Sequence, residues 1–404
     1  MTHTAAERPL WFSVVLLGIA QIISWGTLYY SLTVLAIPIE RDLAFSKFTI
    51  FGSFTIGLLV SGAIAPVIGR RIDLGDSRAA MSMGSVLAVA AMLTVAAARE
   101  PVTFTIGWAL AGAAMAATLY DPAFASLHQI AGAQYRRAVT GLTLLGGFAS
   151  TVFWPVSNVL ASTVGWRWAF CIFAALHLCV CLPIHLWILP ANSSRAKPME
   201  PSVHGSSYLK DRRFPWLAAS FACATLVFSA ISAFVVTALA SRGFSIDAAV
   251  AIAALIGPMQ VLARMIEWSV ARHVSAIAVG IAAFVLSLLG TLLLNVIPSV
   301  WMFGVMFAVC YGASNGILTI ARGTVPSELF GSHSQGELLG ALARPSFFTK
   351  AFAPALFAGG LNLGLTIQTE LQILALFSTL GLVTFLIATR RTVRTAIAST
   401  TDGA

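Results

Sequence analysis

Residues 48–98 read FTIFGSFTIGLLVSGAIAPVIGRRIDLGDSRAAMSMGSVLAVAAMLTVAAA. Two apolar runs, 48–68 and 79–98, flank a short segment that carries Arg70, Arg71, Asp73, Asp76 and Arg78. Each run has the length of about 20 residues that a helix needs to cross a hydrocarbon core of about 30 Å. The pattern repeats from end to end. Apolar runs are expected at 11–36, 48–68, 79–98, 102–127, 138–163, 168–189, 215–240, 247–271, 275–296, 299–321, 338–363 and 368–389. The fold class that follows is an all-α membrane protein with twelve transmembrane helices.

Composition agrees. Hydrophobic residues make up 58% and charged residues 10% of the 404-residue chain, and the mean hydropathy is +0.88. A soluble domain carries roughly 25% charge, so lipid has to cover much of this surface. The net charge of +9 lies between the runs, where it orients the chain, and nucleic acid is not expected as a partner. Six runs precede the polar stretch 190–213 and six follow it. The domains expected are a six-helix half at 1–189, a cytoplasmic linker at 190–213, and a second six-helix half at 214–404 with a short tail. Two such halves are typical of parallel-repeat transporters that bind substrate near the membrane midplane.

Orientation comes from the basic residues. With both termini inside, the inner segments hold Arg8, Arg70, Arg71, Arg78, Arg136, Arg137, five linker residues, Arg272, Arg322, Arg390, Arg391 and Arg394. The outer segments hold only Arg41, Lys47, Arg99, Arg167 and Arg242. The positive-inside rule therefore places both termini in the cytoplasm. Alanine-rich spans and lean loops point to a bacterial inner membrane. The five cysteines, Cys171, Cys179, Cys181, Cys223 and Cys310, lie within apolar runs and imply neither a disulfide framework nor a metal site. His128, His273 and His333 fall in loops or at helix ends. With no HExxH motif or nucleophile constellation, an enzyme is not expected, and neither is a cofactor.

Several stretches resemble a known family. Gly69-Arg-Arg-Ile-Asp73-Leu-Gly-Asp-Ser-Arg78 resembles the signature loop of the major facilitator superfamily. Leu74 stands where that loop usually has a basic residue, and Gly75 comes one position early. The resemblance implies a gating role for Gly69, Asp73 and Arg78, with Asp73 pairing to arginines or to a helix terminus. Other stretches resemble the branch of monocarboxylate transporters and oxalate:formate antiporters. They are Leu28–Val34 with Ile39-Glu40, Tyr120-Asp-Pro122, Arg136-Arg137 with Gly141, Gly165-Trp-Arg167, Pro258–Arg264 and Thr349-Lys350-Ala351. Tyr30 stands where that branch has a functional lysine, and Gln260 where it has an aspartate. The resemblance implies that Arg264 and Lys350 handle a carboxylate. The glycine-proline arrangement of drug exporters is absent from Thr143–Pro155.

The residues themselves point the same way. Lys350 lies about twelve residues from either end of its run, roughly 15 Å from each interface at 1.5 Å per residue. Snorkelling does not cover that distance. A charge at that depth costs about 2.5–3.5 kcal/mol on insertion scales and marks a functional position by default. Arg264 leans toward the midplane because helical side chains tilt toward the helix N-terminus. Its planar fork suits a carboxylate, and Gln260 lies one turn before it. Glu267 and Asp121 are the candidates for a coupling proton, Glu267 also being placed to pair with Arg264. Tyr29, Tyr30, Tyr120, Tyr311 and Asn315, together with Trp25, are polar or aromatic positions expected to line the substrate path. Arg344 is close enough to the helix end to be structural.

The function expected is secondary transport of a small organic anion, mono- or dicarboxylate-like, by alternating access. The alternative is proton-coupled efflux of drugs or metabolites. The partners expected are the anionic substrate, the bilayer, and either protons or a counter-transported anion, with the protein a monomer. Symport, antiport and uniport are all compatible with these residues.

Overall fold

The computed structural model describes residues 9–190, 207–271, 273–296, 298–331 and 334–401. Arg8, Arg195, Lys197, Arg272 and His333, and most of the expected linker, lie outside these residues, as do the side chains of Arg391 and Arg394. The architecture is the all-α, twelve-span one. Spans 1 to 6 are Leu10–Leu43, Lys47–Asp73, Ser77–Ala97, Pro101–Ala131, Tyr135–Thr163 and Trp166–Ile188. Spans 7 to 12 are Arg213–Ser241, Ile246–Val270, Ala276–Val296, Trp301–Phe330, Gln335–Asn362 and Ile367–Thr401. Ten segments are long and apolar enough to cross a membrane, and one of them, Pro101–Thr163, holds two spans. Span 11, which carries Lys350 between Pro345 and Pro354, completes the twelve.

The chain divides into two compact units. The N-terminal unit takes residues 1–200 and also 334–344, the opening turns of span 11. The C-terminal unit takes 201–333 and 345–404. Span 11 starts in the first unit and continues in the second.

Inside the N-terminal unit, backbone meets backbone where glycine removes the side chain. Gly57 of span 2 and Gly112 of span 4 lie against each other, and Gly84 of span 3 lies against Ala117 and Thr118 of span 4. Small residues at such crossings are what let membrane helices gain van der Waals contact. At one end of the unit, Asp42 in the last turn of span 1 accepts from the Trp166 indole at 3.0 Å and pairs with the Arg167 guanidinium. Arg167 also donates to the Ala98 carbonyl at 3.1 Å. Gly165, at φ 85°, makes the turn that starts span 6, a backbone conformation that favours glycine. Both charges of the Asp42–Arg167 pair are well exposed, so its worth is at most about 1 kcal/mol.

Four of the first six spans, 1, 4, 5 and 6, are irregular, span 6 by a π-turn over His177–Cys181. Span 1 contains a π-turn over Gly26–Tyr30 and runs on through Pro38 to Leu43, beyond the end expected at 36. Span 4 is interrupted at Leu119, which is extended, and restarts at Tyr120. Span 5 is interrupted at Gly147 and Phe148. Pro122 explains the break in span 4. Proline lacks the N–H that would bond the Thr118 carbonyl, but it is tolerated in the first turn of a new helix. The orphaned Thr118 carbonyl accepts from the amide of Gln21 in span 1 at 2.7 Å.

The same remedy appears in the C-terminal unit. Pro354 deprives the Lys350 carbonyl of its helical partner, and the Ser229 hydroxyl of span 7 donates to that carbonyl at 2.9 Å. The rest of this unit's core is aliphatic and aromatic, built around Val227, Ile231, Leu294, Phe307 and Tyr311. An unsatisfied buried acceptor costs about 1–3 kcal/mol. Ser229→Ala is therefore expected to destabilise the purified protein by that amount in thermal unfolding. Adding Pro354→Ala, which restores the N–H, is expected to recover most of the loss. Equal melting of the single and double variants would show that the serine does not serve this carbonyl.

Candidate functional site

The C-terminal unit buries three charged side chains of the expected set. On span 8, Arg264 and Glu267 are only 4% and 2% exposed, and on span 11 Lys350 is 9% exposed. Arg264 and Glu267 are three residues apart and therefore neighbours on one helix surface. Gly312 and Gly316 of span 10 press against the span 8 backbone at Ile256 and Gln260. That close approach brings the Arg264 Nε within 3.3 Å of the Gly316 carbonyl, to which it donates. Gln260, half-buried, sits one turn before Arg264. Arg344 is exposed.

Tyr311 and Asn315 behave differently from one another. Tyr311 is 1% exposed and its hydroxyl donates to the Phe228 carbonyl at 3.2 Å. It packs face to face on Phe307. These contacts give it a structural task, tying span 10 to span 7. Asn315, one turn on, is buried beside Gly316.

The N-terminal unit supplies an aromatic wall. Trp25 lies 5.3 Å from Tyr29, 6.1 Å from Tyr30 and 5.1 Å from Tyr120 between ring centroids. Tyr29 and Tyr30 meet edge to face at 5.1 Å. Tyr120 stacks on Phe124 at 5.4 Å and lies against Gly146, where any side chain would collide with its ring. Phe54 and Trp154, which sequence reasoning did not single out, extend the wall beside Tyr29 and Tyr30. The four expected aromatics are partly exposed rather than sealed in the core. The irregular turns of spans 1, 4 and 5 converge here, since Tyr30, Tyr120 and Gly146 each border one of them. Non-helical backbone at membrane depth is tolerated where it is buried in protein or lines a cavity.

Asp121, 8% exposed, opens the second half of span 4 beside Tyr120. An acidic residue in a first helical turn is favoured by the helix dipole. Near it, the opening of span 11 packs on span 2: Gly336 lies on Gly69, and Gly340 on Ala65. Asp73 takes the helix-terminus alternative. Its two carboxylate oxygens accept from the backbone N–H groups of Gly336 and Glu337, each at 2.7 Å. Those donors are orphans of a helix start. Gly75, at φ 93°, closes the C-terminus of span 2. Arg78 points away from Asp73's contact and donates to the Leu189 carbonyl at the end of span 6 at 2.8 Å.

Two buried histidines were missed. His177 and His185 of span 6 are completely buried. Ring nitrogens of the two meet the hydroxyls of Thr27 and Ser85, each at 2.8 Å. The signal was available: they are ionisable residues within an otherwise uncharged apolar run. Among the described residues, no group of three His, Cys, Asp or Glu side chains is placed to hold a metal ion.

Residues 17–354 match the family model described as Major Facilitator Superfamily. Among solved structures, the chain is similar to FucP, the fucose:proton symporter of E. coli, in its outward conformation, with a TM-score of 0.74 and 12% identity over 94% of this chain and 99% of that one. It is similar to the proton:xylose symporter XylE, with a TM-score of 0.71 and 14% identity over 93% of this chain and 94% of that one. It is also similar to the human organic anion transporter MFSD10, with a TM-score of 0.66 and 14% identity over 94% of this chain and all 100% of that one. Among curated proteins none matches this sequence.

The Asp73 contact yields a direct test. Hydrogen bonds to a charged group are worth about 1.5–3 kcal/mol. Asp73→Ala is expected to lower the melting temperature clearly, and Asp73→Asn, which keeps one acceptor oxygen, to fall between it and the parent. Indistinguishable melting of all three would refute the cap.

Proposed function

The chain belongs to the Major Facilitator Superfamily, and from that premise we propose that this membrane transporter carries a small organic anion by alternating access. The observation that carries the reading is the burial of Arg264 and Lys350 in apolar spans of the C-terminal unit. Two cations at membrane depth are costly. An anionic substrate offsets that cost in a way that a neutral or cationic one does not. Gln260 orients the carboxylate, and Asn315 adds a polar contact. Tyr29, Tyr30 and Tyr120 of the N-terminal unit give the substrate's apolar part a surface. Asp121 and Glu267 are the candidate carboxyl groups for a coupling proton where transport is proton-coupled rather than anion exchange, and the Gly69–Arg78 loop serves as a gate through Asp73. The termini are cytoplasmic and the membrane is a bacterial inner membrane.

MFSD10 supports the anion reading by its description as an organic anion transporter. FucP and XylE, described as sugar:proton symporters, favour a second reading: proton-coupled transport of a neutral sugar along the hydroxyl-bearing aromatic wall.

Binding to the folded state raises the melting point by mass action. Purified protein is to be melted with a panel of mono- and dicarboxylates, sulfonates, fucose, xylose and cationic drugs. Selected carboxylates are expected to stabilise it. Lys350→Ala and Arg264→Ala are each expected to weaken that effect at least tenfold in apparent affinity. Stabilisation by sugars or cations that survives both substitutions would overturn the anion reading.

A further inference from the structure

Span 1 changes its helical repeat at one place, the π-turn Gly26–Tyr30, and that place contains Tyr29 and Tyr30, two of the wall's three tyrosines. In an unbroken α-helix, Tyr30 would stand about 140° around the axis from Trp25 at 3.6 residues per turn. A π-turn closes from i to i+5 and brings the fifth residue back over the first. Tyr29, four residues on, neighbours Trp25 in either geometry, at 5.3 Å; the widened turn lets Tyr30 contact it as well, at 6.1 Å. The aromatic wall therefore depends on the widened turn.

Such a turn needs support, and span 6 supplies it. Thr27, inside the π-turn, is completely buried, and its hydroxyl donates to the Ile23 carbonyl at 2.8 Å. A hydroxyl has one proton. With that proton directed to Ile23, the Nε2–H of His177 is the donor to the Thr27 oxygen at 2.8 Å. His177 opens a second π-turn, His177–Cys181, so a single hydrogen bond joins the two irregular turns. One helical turn further along span 6, the Cys181 sulfur lies 4.0 Å from the Ala20 carbonyl of span 1. The Phe153 ring presses on Gly26 from span 5.

We propose that His177 is a positioning residue for the aromatic wall: its hydrogen bond to Thr27 holds the π-turn of span 1 and sets the register in which Tyr29 and Tyr30 stand beside Trp25. Only its consequence for substrate rests on the reading of that wall as substrate-facing. The positioning itself is tested without any ligand.

The chain has six tyrosines, so protein labelled with 3-fluorotyrosine gives a fluorine NMR spectrum of six assignable resonances. Single Tyr→Phe substitutions assign Tyr29 and Tyr30. Thr27→Val, nearly isosteric, and His177→Met are both expected to shift these two resonances, by removing the ring-current field of Trp25, while Tyr135, Tyr208 and Tyr311 stay in place. The double variant is expected to shift them no further, and His177→Gln, which keeps an N–H donor, to return them toward the parent positions. Unchanged Tyr29 and Tyr30 resonances in folded Thr27→Val would overturn the proposal, as would a uniform shift of all six in either variant. In the binding panel, Thr27→Val and Tyr30→Ala are expected to weaken a stabilising carboxylate alike. Parent-like binding by both, alongside the NMR shift, would keep the positioning role and reject the substrate-facing reading of the wall.

Discussion

At membrane depth there is no water to complete a hydrogen bond, and this constraint organises the fold. Every interrupted helical turn needs a protein group to satisfy what the interruption frees. Pro122 frees the Thr118 carbonyl, and Gln21 reaches it from span 1. Pro354 frees the Lys350 carbonyl, and Ser229 reaches it from span 7. The π-turn of span 1 is held through Thr27 by His177. In each case the partner comes from a different span, so a local defect in one helix becomes a specific tertiary contact. The same constraint makes the burial of Arg264 and Lys350 expensive.

The Asp73 contact is of a different kind. Its donors are backbone N–H groups at the start of span 11, beside the arginine-bearing end of span 2, where solvent and charged side chains are the alternatives. Glycine on both helices, Gly69 and Gly336, lets the backbones meet without side chains interlocking. Span 11 passes from the N-terminal to the C-terminal unit after Arg344.

The spans were legible because about 20 apolar residues per crossing is a strong requirement, and the charged breaks between them are short. For Asp73 the sequence left arginines or a helix terminus as partners, and the helix end it caps lies more than 260 positions away, beyond the reach of any local pattern. Arg264 and Lys350 stood out because charge is rare in apolar runs. Tyr311 looked equivalent to Tyr30, yet its hydroxyl is directed to the Phe228 carbonyl; a tyrosine in a span gives no hint of which backbone group it will meet. The helix breaks were visible as proline and glycine, but not Gln21 or Ser229, whose roles arise only when distant spans pack. His177 and His185 were passed over because they lack a metal-like spacing, although two ionisable residues in an otherwise uncharged apolar run were a signal in themselves. Their meaning lies in Thr27 and Ser85.

The central claim is that buried cations in the C-terminal unit select an anion for transport. Its most direct measurement is uptake of a radiolabelled carboxylate into proteoliposomes holding the purified protein, with Arg264→Ala and Lys350→Ala alongside. Saturable uptake by the parent, abolished in both variants while they still insert and melt cooperatively, is the result this account predicts. Uptake that persists in both variants would contradict it and assign the two charges to structure alone.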